Sequence, residues 1–146
     1  MAVTLLDVNV LCGLLSENFA GHVEAQEWFA LNSRHGWATC PFTQAGFVRL
    51  MTHPSASASP ISAAQALEVL AENLQHPRHE FWPDDLGVAE ALARWRSHLK
   101  GHQQITDAYL LALSLHHKGR LVTFDRGLIA FASTARVAHL ISHIPE

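Results

Sequence analysis

The sequence predicts an α/β fold built on a parallel sheet. Five short apolar runs alternate with stretches in which apolar residues recur at helical spacing. No two-residue turn signal of the β-hairpin type separates any two of the runs. Because strands that are separated by helices usually return in the same direction, this alternation favours parallel pairing.

The first part of the chain predicts two strands and two helices. Residues 2–6 form a short apolar run with β-branched members and predict a buried strand that ends at Asp7. Two amphipathic stretches after it predict helices, the second over residues 22–31. Residues 37–40 form an apolar run that is too short for a helix and closes at Pro41, which predicts the second strand.

The middle of the chain predicts two more helices around a polar loop. A helix is expected over residues 43–51, and the small, polar residues 53–59 predict a loop after it. Ser62 and Gln65 then stand in the positions of a capping box, directly before a run with a clear apolar face. The next helix is therefore expected to begin at this pair.

The third strand and two helices are expected in the following segment. Residues 79–82 predict a strand, after which Asp84 or Asp85 is expected to cap a helix that runs to about Leu99. A further helix is expected over residues 104–117, before Gly119.

The last part of the chain predicts two strands. Residues 121–124 form an apolar run that closes at Asp125, and residues 137–141 predict the fifth strand. A chain of 146 residues is of ordinary size for one domain, so we expect residues 1–146 to form a single domain.

Composition excludes several classes of protein. With 49% hydrophobic and 16% charged residues the chain is not disordered, and no apolar run is long enough for a membrane span. A net charge of −3 gives no bulk attraction for nucleic acid, so such a partner needs a local basic patch. Cys12 and Cys40 have no metal-ligand spacing, and no signal peptide is expected at the start. We expect a cytoplasmic protein with no membrane partner.

Three aspartates are predicted to gather at the carboxyl edge of the sheet. Asp7 and Asp125 each follow a strand, and Asp107 lies in the first turn of a helix. Neighbouring strands lie about 4.8 Å apart, so carboxylates at that edge repel one another unless a cation joins them or their pKa values rise. Oxygen ligands without His or Cys favour Mg²⁺ or Mn²⁺. The residues alone therefore indicate an acidic metal site.

The alternatives to metal binding are helix capping for the aspartates and simple exposure to solvent for the histidines. Each aspartate taken singly is better explained as an N-cap, and only the three together favour a metal site. Among eleven histidines, His98 with His102 and His139 with His143 have helical i,i+4 spacing. Neither pair has a third convergent ligand, so we expect both to be solvated.

Four segments together resemble the PIN-domain family, and within it the VapC-like toxin ribonucleases of type II toxin–antitoxin systems. They occur in the family's order and span nearly the whole chain: LLDVNVL at 5–11, CPFTQAGFVRL at 40–50, ITDAYLLALS at 105–114 and LVTFDRGL at 121–128. The resemblance implies a three-layer α/β/α domain with a five-stranded parallel sheet of order 3-2-1-4-5. It also implies Mg²⁺- or Mn²⁺-dependent cleavage of RNA, a cognate antitoxin and a homodimer.

The resemblance also implies roles for individual residues. Asp7, Asp107 and Asp125 match the family's acidic positions, which hold the metal and make up the catalytic site. Asn9 matches the polar residue two positions after the first acid, where it holds that carboxylate or a water. Thr123 matches the hydroxyl residue before the last acid. Independently of the resemblance, Arg126, Arg49 or Lys100 are candidates to neutralise phosphates of the RNA, although each taken singly is better explained as a solvated or ion-paired surface residue.

One position departs from the family pattern. Many relatives carry Glu in the second motif, where this chain has Gln44, which offers an amide oxygen but no charge. The alternative hypothesis is therefore a catalytically weakened module that binds antitoxin or RNA without efficient cleavage. A phosphatase-like or receiver-type enzyme fits less well, because the first motif lacks the second acid of a DxD pair.

Overall fold

A five-stranded parallel sheet forms the centre of the protein. The computed structural model describes residues 2–145. The strands in chain order are β1 (Thr4–Leu6), β2 (Trp37–Thr39), β3 (His79–Phe81), β4 (Arg120–Thr123) and β5 (Ile141–His143). They pair in the order β3-β2-β1-β4-β5, all parallel. The predicted fold class and strand order are confirmed.

Helices cover both faces of the sheet. Within residues 2–145 the helices in chain order are α1 (Val8–Leu15), α2 (His22–Asn32), α3 (Pro41–Thr52), α4 (Ala63–Asn73), α5 (Val88–Leu92), α6 (Ile105–His116) and α7 (Arg126–Thr134). Helices α1 to α4 pack on one face and α5 to α7 on the other. The result is a three-layer α/β/α arrangement.

Two hydrophobic cores, one on each face, follow from the alternation of side chains along each strand. On β1, Leu5 faces the core under α5 to α7, and Leu6 faces the core under α1 to α4. Leu121 and Val122 alternate in the same way on β4. These four side chains are fully buried, as expected for central strands of a parallel sheet.

Local sequence determines where α3 and α4 begin. Pro41 occupies the first turn of α3, where its missing N–H costs nothing, and Thr43 Oγ1 accepts a hydrogen bond from the Cys40 N–H at 3.0 Å. The helix therefore begins two residues before the predicted residue 43. At α4 the predicted capping box is confirmed, since the Gln65 N–H donates to Ser62 Oγ at 3.1 Å and the Ser62 N–H to Gln65 Oε1 at 3.0 Å.

The helix expected from Asp84 or Asp85 to Leu99 is wrong in extent and in its cap. Helix α5 spans five residues, and its N-cap is Gly87. The chain after Leu92 tightens into a 3₁₀ turn, which places Trp95 over Leu92 on the same buried side. The Arg96 N–H bonds to the Ala93 carbonyl at 3.5 Å, three residues back, so the hydrogen-bond pattern of the α-helix does not continue.

The fifth strand begins later than residues 137–141 predict. Helix α7 ends where Arg136 adopts a left-handed conformation (φ 62°), and the Val137 N–H bonds back to the Ala132 carbonyl at 2.8 Å. The next three residues form a 3₁₀ turn, so Ile141 is the residue that meets Leu121 on β4. The number of residues that the chain needs to return from α7 to the sheet shifts the start of the strand to Ile141. Hydrophobic periodicity does not encode this length.

Two remaining features bear on the expected environment of the protein. In the described part of the chain, no helix has both the length and the apolar character needed to cross a membrane. Cys12 and Cys40 are buried and free. Burial raises the pKa of the Cys12 thiol to about 12, which keeps it protonated and unreactive.

Candidate functional site

Asp7 lies at the carboxyl end of the central strand β1 and is almost wholly buried. It is the N-cap of α1, and its Oδ1 accepts a hydrogen bond from the Val8 N–H at 2.8 Å. Its Oδ2 accepts a second bond from the Thr123 hydroxyl, also at 2.8 Å. Burial raises the pKa of Asp7, whereas the bonds from Thr123 and Val8 act to lower it. The carboxylate is thus fixed in direction and short of positive charge.

Thr123 links Asp7 to Asp125. Its hydroxyl donates to Asp7 and accepts the Asp125 backbone N–H at 2.9 Å. Asp125 itself is the N-cap of α7 and takes the Gly127 N–H at 2.7 Å on Oδ1. The capping interpretation of Asp7 and Asp125 is therefore correct, and capping holds both carboxylates at the same edge of the sheet.

Asp107 joins this edge from the first turn of α6. Its pKa is raised to about 7, mainly by burial and also by the charges of Asp7 and Asp125. A hydrogen bond with Asp125, which only the protonated form of Asp107 can donate, adds to the shift. The three carboxyl groups therefore interact electrostatically, and the structure brings the predicted aspartates together at one edge of the sheet.

The three carboxylates are nevertheless not a tight cluster. In the described part of the chain, the ligand atoms of these three groups do not all lie within 4.8 Å of one another. Asp125 is exposed and Asp107 is half-buried, so both side chains have room to change rotamer. Closing around a single small ion requires movement of these two side chains rather than of Asp7.

The polar and basic residues predicted beside the aspartates lie at the surface. Asn9 is exposed, and its side chain makes no hydrogen bond with any residue between positions 2 and 145. It therefore does not hold the Asp7 carboxylate. Arg126 directly follows Asp125 and is exposed, as are Arg49 on α3 and Lys100 before α6.

Gln44 lies in the first turn of α3 and is turned toward β2. Its Nε2 donates to Thr39 Oγ1 at 2.9 Å, and Thr39 Oγ1 lies 2.8 Å from His79 Nε2. Thr39 is fully buried. Burial lowers the pKa of His79, which favours the neutral form of its imidazole. Sequence reasoning missed Thr39 and His79; the available signal was a hydroxyl residue at the end of β2, whereas His79, whose register partner is Trp37, gave none.

An apolar pocket adjoins the first turn of α6. It has a volume of about 370 Å³, and Phe42, Ile105 and Tyr109 contribute to its lining. The Tyr109 hydroxyl donates to the Leu86 carbonyl at 2.8 Å, which fixes one wall. Asp107 lies between Ile105 and Tyr109 in sequence but does not line the pocket.

Comparison with known families and solved structures agrees with the geometry. The model of the PIN domain family matches residues 4–136. A solved structure, described as VapBC2 from Rickettsia felis bound to a DNA fragment from their promoter, superposes with a TM-score of 0.61. The match covers 97% of this chain and 98% of that chain at 16% identity, which supports the fold.

Curated relatives are closer in sequence. Ribonuclease VapC44 of Mycobacterium tuberculosis is 44% identical over 124 residues, which cover 85% of this chain and 87% of the relative. Ribonuclease VapC39 of the same organism is 41% identical over 133 residues, covering 91% and 96%. Ribonuclease VapC38 is 40% identical over 130 residues, covering 89% and 90%.

Proposed function

Because the chain belongs to the PIN domain family, we propose that it is a metal-dependent endoribonuclease and the toxin of a type II toxin–antitoxin pair. The observation that carries the proposal is the meeting of Asp7, Asp107 and Asp125 at one edge of the sheet, where their charges raise the pKa of Asp107. Relatives at 40 to 44% identity that are named ribonucleases support the same activity.

Asp7, Asp107 and Asp125 would hold Mg²⁺ or Mn²⁺. The donor set fits such an ion, because it consists of carboxylate oxygens and the pKa of one of these groups, Asp107, is raised to about 7 by burial and by the neighbouring negative charges, which a cation would offset. When bound, the ion supplies Lewis acidity that makes water a stronger nucleophile and offsets negative charge at a phosphodiester. The proposed RNA cleavage is hydrolytic.

The chain's own residues orient these carboxylates and receive the substrate. Thr123 holds Asp7 in one direction, so this carboxylate needs no reorientation when RNA binds. No Lys or Arg between residues 2 and 145 lies within 4.0 Å of a carboxylate oxygen of those residues. Arg126, Arg49 and Lys100 are therefore available for RNA phosphates at the edge of the site.

A cognate antitoxin is the proposed protein partner. We place an antitoxin arginine against the three aspartates, where it would make charge-assisted hydrogen bonds and compete with metal and RNA. We also propose a homodimer and a cytoplasmic location. Purification together with the protein encoded beside it tests the partner: recovery of the chain alone would count against an antitoxin.

Cleavage assays on RNA test the activity. Asp7→Ala and Asp107→Asn should lose most Mg²⁺- or Mn²⁺-dependent cleavage of single-stranded and structured RNA. Asp84→Asn is the matched control, since it changes an exposed aspartate at the same sheet edge and should retain wild-type cleavage. Undiminished cleavage by both of the first two variants would contradict the proposal.

The second candidate function, a module weakened by Gln44, is tested by restoring the charge. Gln44 donates to Thr39, whereas a glutamate there must accept, so Gln44→Glu reverses that bond as well as adding a carboxylate. If the native chain is silent and Gln44→Glu cleaves RNA, the weakened module is supported. If the native chain already cleaves efficiently, that alternative is excluded.

A further inference from the structure

A second group of metal-ligating side chains lies away from the aspartates. Asp85, in the loop after β3, meets His116 at the end of α6 and His117 directly after it. Asp85 Oδ1 lies 3.2 Å from His117 Nε2 and 3.6 Å from His116 Nε2. Among residues 2–145 this is the one group of three His, Cys, Asp or Glu whose ligand atoms all lie within 4.8 Å of one another.

The spacing of these atoms fits a tetrahedral transition-metal ion. Metal–ligand bonds of about 2.0 to 2.2 Å at tetrahedral angles place neighbouring ligand atoms roughly 3.3 to 3.6 Å apart. The two measured distances from Asp85 fall close to this interval. Two imidazole nitrogens and one carboxylate oxygen are a set that Zn²⁺ and its neighbours prefer, in contrast to the all-oxygen set of the aspartates.

His117 supplies an independent observation. Its Nε2 is buried and has no hydrogen-bond partner, although Asp85 Oδ1 lies 3.2 Å away. The two atoms are thus close but not directed at each other, as expected when both point at a common third atom. A buried imidazole nitrogen without a partner destabilises the fold, and a bound ion would remove that cost.

The ring of His117 is held in place by its surroundings. It stacks on Trp82 with ring centroids 4.7 Å apart and planes inclined by 12°. Trp82 is itself buried and donates its Nε1 to Glu80 Oε1 at 3.0 Å. A Cβ at Gly119 would collide with the Trp82 ring, so the close approach of this turn to Trp82 requires glycine. One ligand is therefore preorganised.

We propose that Asp85, His116 and His117 form a binding site for a Zn²⁺-like divalent transition metal. His116 and Asp85 are about half exposed, so the ion has access from solvent and water can complete its coordination. Asp107 and His116 are nine residues apart on α6, about 14 Å along the helix axis. The bound ion would tie the loop after β3 to the end of α6 and stabilise the fold without entering RNA cleavage.

Calorimetric titration of Zn²⁺ into the EDTA-stripped full chain tests the site, with Asp107→Asn as the background so that the aspartates do not compete. One equivalent should bind with a Kd of about 10 µM or tighter, and Co²⁺ should give the visible absorption of a tetrahedral site. His116→Ala and Asp85→Asn should each weaken binding at least tenfold, since even indirect partners of a metal matter by about that factor.

Matched controls separate this site from surface histidines. His139→Ala, on a 3₁₀ turn outside the group, and Asp84→Asn, beside Asp85, should bind Zn²⁺ like the background. Both ligand variants alter exposed side chains, and circular dichroism checks that they fold. Unchanged Zn²⁺ affinity in His116→Ala and Asp85→Asn, or no binding at 10 µM, would overturn the site. Either result leaves the proposed RNA cleavage by the native chain untouched, because that activity is tested separately at Asp7 and Asp107.

Discussion

Thr123 is the residue on which the geometry of the acidic edge most depends. Its one hydroxyl donates to Asp7 and accepts the backbone N–H of Asp125, so a single side chain fixes the carboxylate of Asp7 and the backbone of Asp125. Thr123 is fully buried, and water cannot take over either bond. The fold therefore positions its acidic residues through a neutral neighbour.

Thr123→Val should weaken metal binding with little change in shape. The substitution keeps the volume but leaves an Asp7 oxygen and the Asp125 N–H without a partner, at a cost of about 1 to 3 kcal/mol in stability. Mn²⁺ affinity should fall roughly tenfold or more, as is typical when a group that orients a ligand is lost. Thr134→Val, exposed on α7, is the control. Equal Mn²⁺ affinity in both variants would contradict this role.

Asp107 should make the effect of Mg²⁺ depend on pH. Its pKa rises from 3.8 to about 7, so the folded chain holds a proton that the unfolded chain has lost. Without metal, its contribution to stability is full below the unfolded pKa and declines as pH rises toward 7. Mg²⁺ must displace that proton, so the Mg²⁺-induced rise in Tm should be larger at about pH 8 than at about pH 5.5.

The control for that dependence is Asp107→Asn, which has no proton to displace. The difference between the Mg²⁺-induced Tm shifts at the two pH values should shrink in this variant. Equal shifts in the native protein at both pH values would show that Asp107 does not titrate in this range in contact with the ion.

Sequence reasoning could predict which aspartates meet, but not what holds them. Asp7 and Asp125 end neighbouring strands, and parallel topology alone brings such residues to one edge. The bond of Gln44 to Thr39 could not be predicted, because it depends on how the first turn of α3 sits over β2. The group formed by Asp85 with His116 was missed for the same reason: its members are 31 residues apart and belong to different elements.

At the scale of elements, boundaries that local hydrogen bonds determine were more predictable than boundaries that depend on tertiary packing. The box of Ser62 and Gln65 marks the start of α4 through bonds that are local in sequence. The end of α5 and the start of β5 depend on burial of Trp95 and on the return of the chain to β4, which are tertiary effects. The boundary of an element can be predicted from the sequence alone only where local hydrogen bonds determine it.

Ser62→Ala should lower the free energy of unfolding by about 1 kcal/mol, because one cap bond is lost and the Gln65 N–H is left to water. Urea unfolding at constant pH measures the change. Ser133→Ala, at an exposed position in the last turn of α7, should be neutral or slightly stabilising, since alanine is the better helix former. A loss of equal size in both variants would contradict the capping role.

At the scale of the whole molecule, one sheet connects both hydrophobic cores. Leu5 and Leu6 are adjacent in β1 and face opposite cores, so neither core can be lost while the other keeps its sheet. We therefore propose that the whole chain is a single domain, and urea unfolding should follow one transition by both fluorescence and circular dichroism. Two separated transitions would contradict it.

Net charge is a property of the whole molecule that agrees with a local mode of RNA binding. With a net charge of −3, the chain as a whole does not attract RNA, and attraction must come from basic residues around a neutralised acidic edge. In the proposed function, divalent metal at the aspartates would thus serve binding as well as hydrolysis. RNA affinity should accordingly rise with Mg²⁺ in the native chain and less in Asp107→Asn, as measured by filter binding.

The most direct test is a crystal structure of the native chain grown with Mn²⁺, using the anomalous signal of the metal. We predict an anomalous peak within bonding distance of carboxylate oxygens of Asp7, Asp107 and Asp125, with Asp107 and Asp125 rotated toward it. A well-ordered acidic edge with no Mn²⁺ peak, or a peak that contacts none of these three carboxylates, would contradict the proposed metal site and the nuclease activity that depends on it.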